Sequence, residues 1–225
     1  MTESKQKKSK QKPKRRMRRA NGVATRQRIF ETASAMFAAG GFEATSLRQI
    51  ASASSVDIAT LKYHFRDKTE LYSEVYRVGH ENLLDHLKPC LDSLSHAKTK
   101  DELLVSIEDF VFAFHDFLEE DFAFLRMLLF RLLEGSEAIS HIEEELQGIA
   151  ASLFDEIFRK LLRRKLVRDI DHRAFITVLV SSLTTWFVIA EVKPDLVEEP
   201  LPFTFKGRER SEAFFCDMFE RILVE

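Results

Sequence analysis

The side chains that could do chemistry in this sequence form no catalytic or metal-binding pattern. The motifs GxGxxG, GxxxxGK(S/T), HExxH and GxSxG are all absent, so the common signals for nucleotide binding, zinc hydrolysis and an activated serine are missing. His80 and His86 are six residues apart and do not share a helix face, and His115, His141 and His172 are scattered. We therefore expect no metal, no cofactor and no enzymatic activity.

The two cysteines, Cys90 and Cys216, are far apart in the sequence and have no CxxC or Cys/His partner spacing. This spacing excludes a disulfide framework and the common zinc modules, and it favours a reducing, cytoplasmic setting. We expect each thiol to be a small buried apolar group, with a redox or intersubunit role as the alternative.

Charge is divided between the two ends of the chain. Residues 1–70 contain 16 Lys and Arg against 6 Asp and Glu, whereas residues 71–225 contain 18 against 30, so the net charge of −2 conceals +10 and −12. Residues 1–20 hold ten cations and no large apolar residue except Met1 and Met17. This composition predicts a basic arm over residues 1–21 that is disordered in isolation. Such an arm either contacts phosphates or serves as a solubilising extension.

The remaining basic region carries side chains suited to a polyanion. Lys62 and Lys68 offer charge to phosphates, and Tyr63 and His64 offer hydrogen bonds. The backbone amides of a helix beginning after Asp67 can also face a phosphate.

Helices must position these groups. Apolar residues at helical spacing begin near Thr25, and Gly40-Gly41 ends that helix because glycine reaches a left-handed C-cap. Ser46 and Gln49 form a capping box that opens a short helix over about 47–53.

Two further caps follow. Asp57 is a good N-cap for a third short helix over about 58–64, and Asp67 caps a fourth, longer helix. Four helices therefore fit into about 70 residues, two of them joined by a tight turn.

The rest of the chain also has a helical pattern. With only 7 Gly and 5 Pro and no persistent period-two alternation, the sequence predicts an all-α fold. The longest uncharged run, residues 174–190, has 17 residues and five hydroxyl side chains, short of the ~20 needed to cross a bilayer. We expect it to be a helix that protein contacts cover on most sides, with no membrane partner. The predicted helices are 100–119, 121–134, 136–165, 171–192 and 208–224.

Two short helices at a tight turn, beside a basic arm, form a helix-turn-helix arrangement. Over residues 22–82 the sequence resembles the DNA-binding domain of TetR-family (TetR/AcrR) transcriptional regulators. The resemblance rests on residue types and their spacing. The matching positions include Arg28-Ile29, Ala33, Phe37-Ala-Ala-Gly-Gly-Phe42, Thr45-Ser46, Ile50-Ala51, Val56, Leu61, Tyr63-His64-Phe65, Lys68 and Leu71.

The resemblance implies an all-α homodimeric repressor with an N-terminal three-helix helix-turn-helix domain and a C-terminal helical domain, residues 83–225, for ligand binding and dimerisation. In the family the helix at 47–53 is the supporting helix, and the helix at 58–64 recognises a palindromic double-stranded DNA operator. The regulator releases this operator when it binds a small-molecule effector. The positions that correspond to DNA contacts are Thr45, Ser46, Arg48, Thr60, Lys62, Tyr63, His64 and Lys68.

The sequence departs from the family pattern at two positions. Ser55 stands where glycine is usual, which predicts a left-handed serine at a cost of roughly 1 kcal/mol. Lys62 stands where an aromatic residue is usual, which favours phosphate or guanine contacts. Packing is the alternative role for Tyr63 and His64, and Leu61 and Phe65 are expected to be core residues.

The C-terminal half is rich in phenylalanine, a composition typical of a pocket for an apolar or aromatic ligand. Any one of these aromatics is more commonly a core residue. The last two helices are apolar enough to dimerise as an intersubunit four-helix bundle, as in the relatives. The predicted pocket residues are Phe110, Phe114, Phe117, Phe130, Phe154, Phe158 and Trp186.

Two other classes of function stay open at this stage. A helical enzyme with an aromatic pocket is one, although the sequence offers no titratable pair for it. A helical scaffold or membrane-surface protein that uses the basic arm is the other.

Overall fold

The computed structural model describes residues 12–134, 140–192 and 208–224, with side chains described for 21–131, 133–134, 140–185 and 212–224. Within these ranges the chain forms α-helices and an isolated antiparallel bridge between Val167 and Val224, which confirms the predicted all-α fold. The helices are α1 (Lys12–Ala44), α2 (Leu47–Ala53), α3 (Ile58–His64), α4 (Lys68–His96), α5 (Lys100–Glu120), α6 (Phe122–Glu134), α7 (Ser140–Arg163), α8 (His172–Val192) and α9 (Arg208–Leu223).

Helix boundaries agree closely with those predicted. Helices α2 and α3 coincide with the predicted 47–53 and 58–64, and the later helices begin and end within one or two residues of their predicted limits. The exception is the start of α7, where residues 136–139 lie outside the described ranges. Helix α4 continues through Pro89.

The described residues pack as two compact units. The first contains the chain up to Tyr76 together with α6 from Arg126, and the second contains Arg77–Leu125 and the described residues after 139. The predicted domain boundary is residue 82, with all of α6 in the C-terminal domain. The structure divides it inside α4 and inside α6, because side chains of α6 contact the end of α1.

Helix α1 begins at Lys12, inside the segment 1–21 predicted to be a disordered arm. The structure therefore differs from the prediction over residues 12–21. Lys, Arg, Gln and Ala are good helix formers, so this basic segment can extend an existing helix. Residues 1–11 of the arm lie outside the described residues.

Helix α1 kinks at Gly41, which has φ 76° and ψ −179°. The predicted left-handed glycine is confirmed, but the chain resumes helical form up to Ala44. The Glu134 carboxylate accepts hydrogen bonds from the amides of Phe42 and Glu43 at 3.2 and 3.3 Å. A Cβ on Gly41 would lie 2.1 Å from Oε1 of Glu134, so a larger residue here would displace the carboxylate from this position.

Two cations hold the same segment from other helices of the first unit. Nε of Arg126 donates to the carbonyl of Ala38 at 2.7 Å, where a cation suits the carbonyl end of a helix. Nζ of Lys68 donates to the carbonyl of Phe42 at 3.0 Å and lies 4.1 Å from the centroid of the Phe42 ring. The end of α1 is therefore tied to both α6 and α4.

The core of the first unit is aromatic. Tyr72 meets Phe37 and Phe42 edge to face, with ring centroids 4.7 and 5.0 Å apart, a favourable geometry for aromatic pairs. The fully buried side chains of this unit include Ile29, Phe37, Ile50, Leu61, Phe65, Leu71 and Tyr72.

Helix α2 begins at the predicted capping box. The Ser46 hydroxyl accepts from the Gln49 amide, and the Gln49 side chain accepts from the Ser46 amide at 2.9 Å. The carbonyl of Ser54, at the other end of α2, accepts a 2.9 Å hydrogen bond from Nε of Arg28 in α1. Both ends of this short helix are therefore fixed.

The turn between α2 and α3 depends on Ser55. Its φ is 55°, which confirms the predicted left-handed serine. The amide of Ser55 donates to Ser52 at 3.1 Å and that of Val56 donates to Ala51 at 3.0 Å, the two hydrogen bonds of a Schellman C-cap. This cap stops α2 and turns the chain into α3.

In the second unit α5 packs against α8 and α9, and α7 packs against α8. Helix α8 contains the apolar segment expected to be covered on most sides. Leu179 and Leu183 are buried, but Val178 is 61% exposed. The same uncovered face carries Ala174, Thr177, Ser181, Ser182 and Thr185. Within the described residues, one side of α8 is therefore left open.

Among the described residues no helix combines the length and the apolar character that a membrane crossing requires.

We expect Ser55→Gly to raise the free energy of unfolding by up to about 1 kcal/mol, because glycine relieves the left-handed strain. The side chain of Ser55 is exposed, so no packing is lost. Chemical denaturation of the full chain measures the change.

Ser52→Gly is the matched control, since it places the same substitution at an exposed position inside α2. That variant should lower the free energy of unfolding by about 0.5 kcal/mol. If Ser55→Gly were as destabilising as Ser52→Gly, the strain assigned to the turn would not exist.

Candidate nucleic-acid interface and ligand cavity

Helix α3 is fixed by its N-cap and by two buried side chains. The Asp57 carboxylate accepts a 2.6 Å hydrogen bond from the Thr60 amide, and this bond lowers the pKa of Asp57 below its ordinary value. Leu61 and Phe65 are fully buried, which confirms their predicted role as core residues. The cap and these two side chains set the rotation of α3 about its axis, and with it the side chains that face outward.

The side chains of α3 that were expected to contact DNA lie wholly or partly at the surface. Lys62 is exposed, Tyr63 is 83% exposed, and Thr60 and His64 are half-buried. The Tyr63 ring lies edge-on to His64 at 5.1 Å, and its phenol projects into solvent. Among the described residues, therefore, Tyr63 is not a packed side chain. An ammonium and a phenol side by side present a charged donor and a group that both donates and accepts.

At the start of α2 the predicted contact residues separate into two kinds. Ser46 and Arg48 are exposed. Thr45 is 4% exposed, and its hydroxyl donates to the carbonyl of Gly41 at 2.8 Å. The structure thus gives Thr45 an internal role at the kink of α1, contrary to the predicted DNA contact.

The start of α4 differs from the expectation of an open phosphate site. The Lys68 ammonium already binds Phe42. Asp67 accepts from the Glu70 amide at 2.8 Å, which lowers the pKa of Asp67, and Glu70 accepts from the Arg66 amide at 2.9 Å. These two carboxylates occupy the end of the helix where a phosphate would have to approach.

Arg66 is a candidate contact that the sequence analysis missed. It follows α3 directly, its side chain is 83% exposed, and its Nε lies 3.1 Å from Oδ2 of Asp67. Its position between His64 and Lys68, inside the HFRDK segment, was the signal available.

A cavity of about 60 Å³ lies in the second unit, bordered by residues of α4, α5, α7, α8 and α9. Of the fifteen described residues that line it, fourteen have aliphatic or aromatic hydrocarbon side chains and one is histidine, His172. Phe110, Phe154 and Phe158, three of the predicted pocket residues, are among them. The prediction did not include Phe219.

Three of the other predicted pocket residues, Phe114, Phe117 and Phe130, do not line this cavity. Phe114 and Phe117 are buried further along α5, and Phe117 lies 6.2 Å from Phe124 in an edge-to-face contact. Phe130 belongs to the first unit, where its ring lies against Gly41. The side chain of Trp186 lies outside the described residues.

His172 is held in place by a carboxylate and an aromatic ring. Its Nε2 lies 2.7 Å from Oδ1 of Asp155, and its ring stacks on Phe158 with centroids 4.4 Å apart and planes 10° apart. Arg173 also binds Asp155 through both carboxylate oxygens. Hydrogen bonds from Arg173 and then from His172 hold the pKa of Asp155 far below its usual range.

The described residues contain no group of three or more His, Cys, Asp or Glu side chains placed to hold a metal ion. Both cysteines are half-buried thiols. Burial, with the nearby carboxylates of Glu108 and Glu212, raises the pKa of Cys216 to about 11, and burial also raises the pKa of Cys90. Each therefore stays protonated near neutral pH.

The chain is similar to known regulators in sequence and in fold. Residues 29–75, from α1 to α4, match the family model TetR_N, bacterial regulatory proteins of the tetR family. The chain is 31% identical over 93 residues to the Escherichia coli K12 protein named "Probable acrEF/envCD operon repressor", a match covering 40% of this chain and 42% of that protein. It therefore spans less than half the length of this relative.

Two longer matches extend into the second unit. The biofilm operon icaADBC HTH-type negative transcriptional regulator IcaR of Staphylococcus epidermidis is 24% identical over 163 residues, 72% of this chain and 82% of IcaR. A solved TetR family transcription regulator from Marinobacter aquaeolei VT8 has the same fold, with a TM-score of 0.68 over 92% of this chain and 99% of that one, at 18% identity.

The residues that the family model matches include α2, the turn at Ser55 and α3. The fold match covers nearly the whole chain. Over residues 29–75 the chain thus contains the TetR_N domain of bacterial regulatory proteins of the tetR family, within a fold that it shares with a solved regulator of that family.

Proposed function

We propose that this protein is a homodimeric transcriptional repressor that binds a palindromic DNA operator through α3 and releases it when a small, mainly apolar or aromatic molecule binds in the second unit. The outward face of α3 carries the proposal. Lys62 and Tyr63 project into solvent, while Leu61 and Phe65 are buried beneath them.

The dimensions of α3 suit the major groove. A helix about 10–12 Å across fits a groove about 12 Å wide. Lys62 then offers an ammonium to a guanine edge or a phosphate, and Tyr63 offers its phenol. Ser46 and Arg48 lie at the start of α2, the helix that crosses the backbone in this motif, and Arg66 adds an exposed cation at the end of α3.

The relatives' names support repression as the direction of regulation. IcaR is a negative regulator, and the Escherichia coli relative is named as a repressor. A regulator of this kind would act in the cytoplasm, and the two free thiols suit the reducing conditions there.

The open face of α8 supports dimerisation. It presents small apolar and hydroxyl side chains around Val178, and α9 exposes Phe214 and Ile222. A second copy that covers these faces would form the four-helix interface expected from the sequence. Dimerisation is needed because each α3 contacts only one half-site of a two-fold operator.

The charge division supports the DNA partner as well. The basic segment 1–70 contains α2 and α3, whereas the rest of the chain carries the acidic excess. A basic segment attracts a polyanion before contact, and acidic segments are repelled by it.

The first test is binding to a palindromic fragment from upstream of the protein's own gene, measured by fluorescence anisotropy against competitor DNA. We expect the wild-type protein to prefer the fragment by at least about a thousandfold. Lys62→Ala should weaken that binding by about five- to a hundredfold, because one major-groove contact is removed from each half-site.

Lys88→Ala is the matched control. Lys88 is also exposed, but it lies on α4 in the second unit, and its removal should change the affinity less than about twofold. Equal losses in the two variants, or no sequence preference in the wild type at moderate salt, would contradict the role given to α3.

The dimer is tested by Val178→Glu. Val178 is 61% exposed in the single chain, so a charge there should leave the fold intact, separate the dimer and weaken operator binding at least about tenfold. Light scattering after size-exclusion chromatography measures the mass. Val105→Glu, at a position 58% exposed on α5, should stay dimeric; a dimeric Val178→Glu protein would show that α8 is not the interface.

The basic arm is tested by the salt dependence of operator binding. Deletion of residues 1–20 should flatten the slope of log K against log[salt] by nearly one unit per lost phosphate contact and leave the preferred sequence unchanged. A variant with the arm's ten cations changed to Gln keeps good helix formers while removing the charge, so it should match the deletion. An unchanged slope in both variants would show that the arm does not touch DNA.

A further inference from the structure

We infer that the first turns of α1 form a second DNA-binding element, in which a stripe of four cations on one side of the helix contacts the phosphates that flank each operator half-site. The inference rests on the proposed function, because it assigns these phosphates to the same DNA. The stripe consists of Lys12, Arg15, Arg16 and Arg19.

The backbone places these four residues on one side of a helix. Helix α1 is unbroken from Lys12 to its kink at Gly41, and the spacing i, i+3, i+4, i+7 covers one side of an α-helix. Pro13 is tolerated because an amide in the first turn of a helix has no helical partner to lose. Residues 12–20 contain no Asp or Glu, so nothing within this segment offsets its positive charge.

The next turns of α1 show how the stripe lies relative to α3. Val23 follows Arg19 by four residues on the same side and is 70% exposed, so this side of the helix is open to solvent there. Arg26 follows Arg19 by seven residues, again on the same side, and its guanidinium lies 4.5 Å from the centroid of the Phe65 ring. Phe65 is the C-cap of α3. The stripe therefore lies in line with the end of the helix that we propose to bind the operator.

Helix α1 is attached to both helices of the motif at this point. Besides the contact of Arg26 with Phe65, Nε of Arg28 donates to the carbonyl of Ser54 at the end of α2, at 2.9 Å. The stripe must therefore accompany α3 when α3 binds DNA. From Arg26 back to Lys12 the helix extends about 21 Å, which equals the rise of about six base pairs. The stripe can reach phosphates at that distance from the end of α3.

DNA fits this stripe better than a membrane surface does. A helix that lies in a membrane interface needs a large apolar face beside its cationic face. The uncharged side of this segment contains Pro13, Met17 and Ala20, and Met17 alone offers a large apolar side chain. A duplex requires no apolar face, because charge is sufficient to bind its phosphates.

Gly22 joins the stripe to the rest of α1 and allows the helix itself to be tested. A Cβ at Gly22 would meet no atom within 4 Å. Gly22→Ala therefore strengthens the helix without a clash, by up to about fivefold in its equilibrium constant. Gly22→Pro breaks the helix at the same residue and leaves every charge in place.

The experiment measures binding of the full-length protein, by fluorescence anisotropy, to the palindrome alone and to the palindrome with about ten base pairs of flanking DNA on each side, more than the stripe can reach. We expect the wild type to bind the longer duplex at least about tenfold more tightly at moderate salt, because the stripe then releases counterions from the flanking phosphates. Gly22→Ala should raise this ratio of affinities by up to about fivefold. Gly22→Pro should lower it at least about threefold, because a chain without helical order loses more entropy on binding.

Two double variants test the side of the helix. Lys12→Gln with Arg16→Gln removes one Lys and one Arg from the stripe. Lys14→Gln with Arg18→Gln is the matched control, since it removes the same residue types at the same spacing from a side about 200° away. The stripe variant should flatten the salt slope for the longer duplex by about 1.8 units per protomer, whereas the control should keep the affinity ratio within about twofold of the wild type. Both should bind the palindrome alone as the wild type does, which shows that α3 is undisturbed.

Equal losses in the two double variants would overturn the inference, because the segment would then act as a charge without orientation. Equal affinity of the wild type for both duplexes would overturn it too, and stripe-dependent flotation with anionic lipid vesicles in that case would assign the surface to a membrane. If the wild type does not prefer the palindrome to competitor DNA, the proposed function fails. If it prefers the palindrome but gains nothing from the flanks, the proposed function stands and this inference alone fails.

Discussion

The left-handed turn at Ser55 is the constraint on which the DNA-binding surface depends. It ends α2 with the two hydrogen bonds of a Schellman cap, and two residues later Asp57 caps α3. Arg28 holds the turn from outside through the Ser54 carbonyl. With both helices short, this turn fixes the angle between them, and the burial of Leu61 fixes which side of α3 faces outward. Because the turn and the buried side chains fix the orientation of α3, the Tyr63 side chain lies on its outward side and is exposed.

A second constraint acts at the kink of α1. The left-handed Gly41 leaves two amides for the Glu134 carboxylate, and the residues just before it offer a carbonyl to Arg126. This contact brings the second part of α6 into the first unit. It also accounts for Thr45, whose hydroxyl closes the kink and so is not available at the surface. The Thr45 hydroxyl, which was expected to contact DNA, therefore stabilises the kink of α1.

Local structure could be predicted from the sequence, and contacts between distant residues could not. The limits of α2 and α3, their caps and the left-handed Ser55 follow from neighbouring residues, so spacing and side-chain chemistry were sufficient. The bond from Lys68 to Phe42 joins residues 26 apart, and the bonds from Glu134 join residues more than 90 apart. No local pattern predicts either. The predicted pocket residues show the same division: Phe110, Phe154 and Phe158 line the cavity of the second unit, whereas Phe130 lies in the first unit because α6 contributes to both units.

The central claim is that two copies of α3 read one palindrome from the major groove. Methylation interference on the operator measures this directly, because methylation of guanine N7 blocks the major-groove edge. The account predicts two patches of interference, related by the operator's two-fold axis, that are lost when the half-sites are scrambled. A single patch, or full binding to DNA methylated at every guanine, would contradict it.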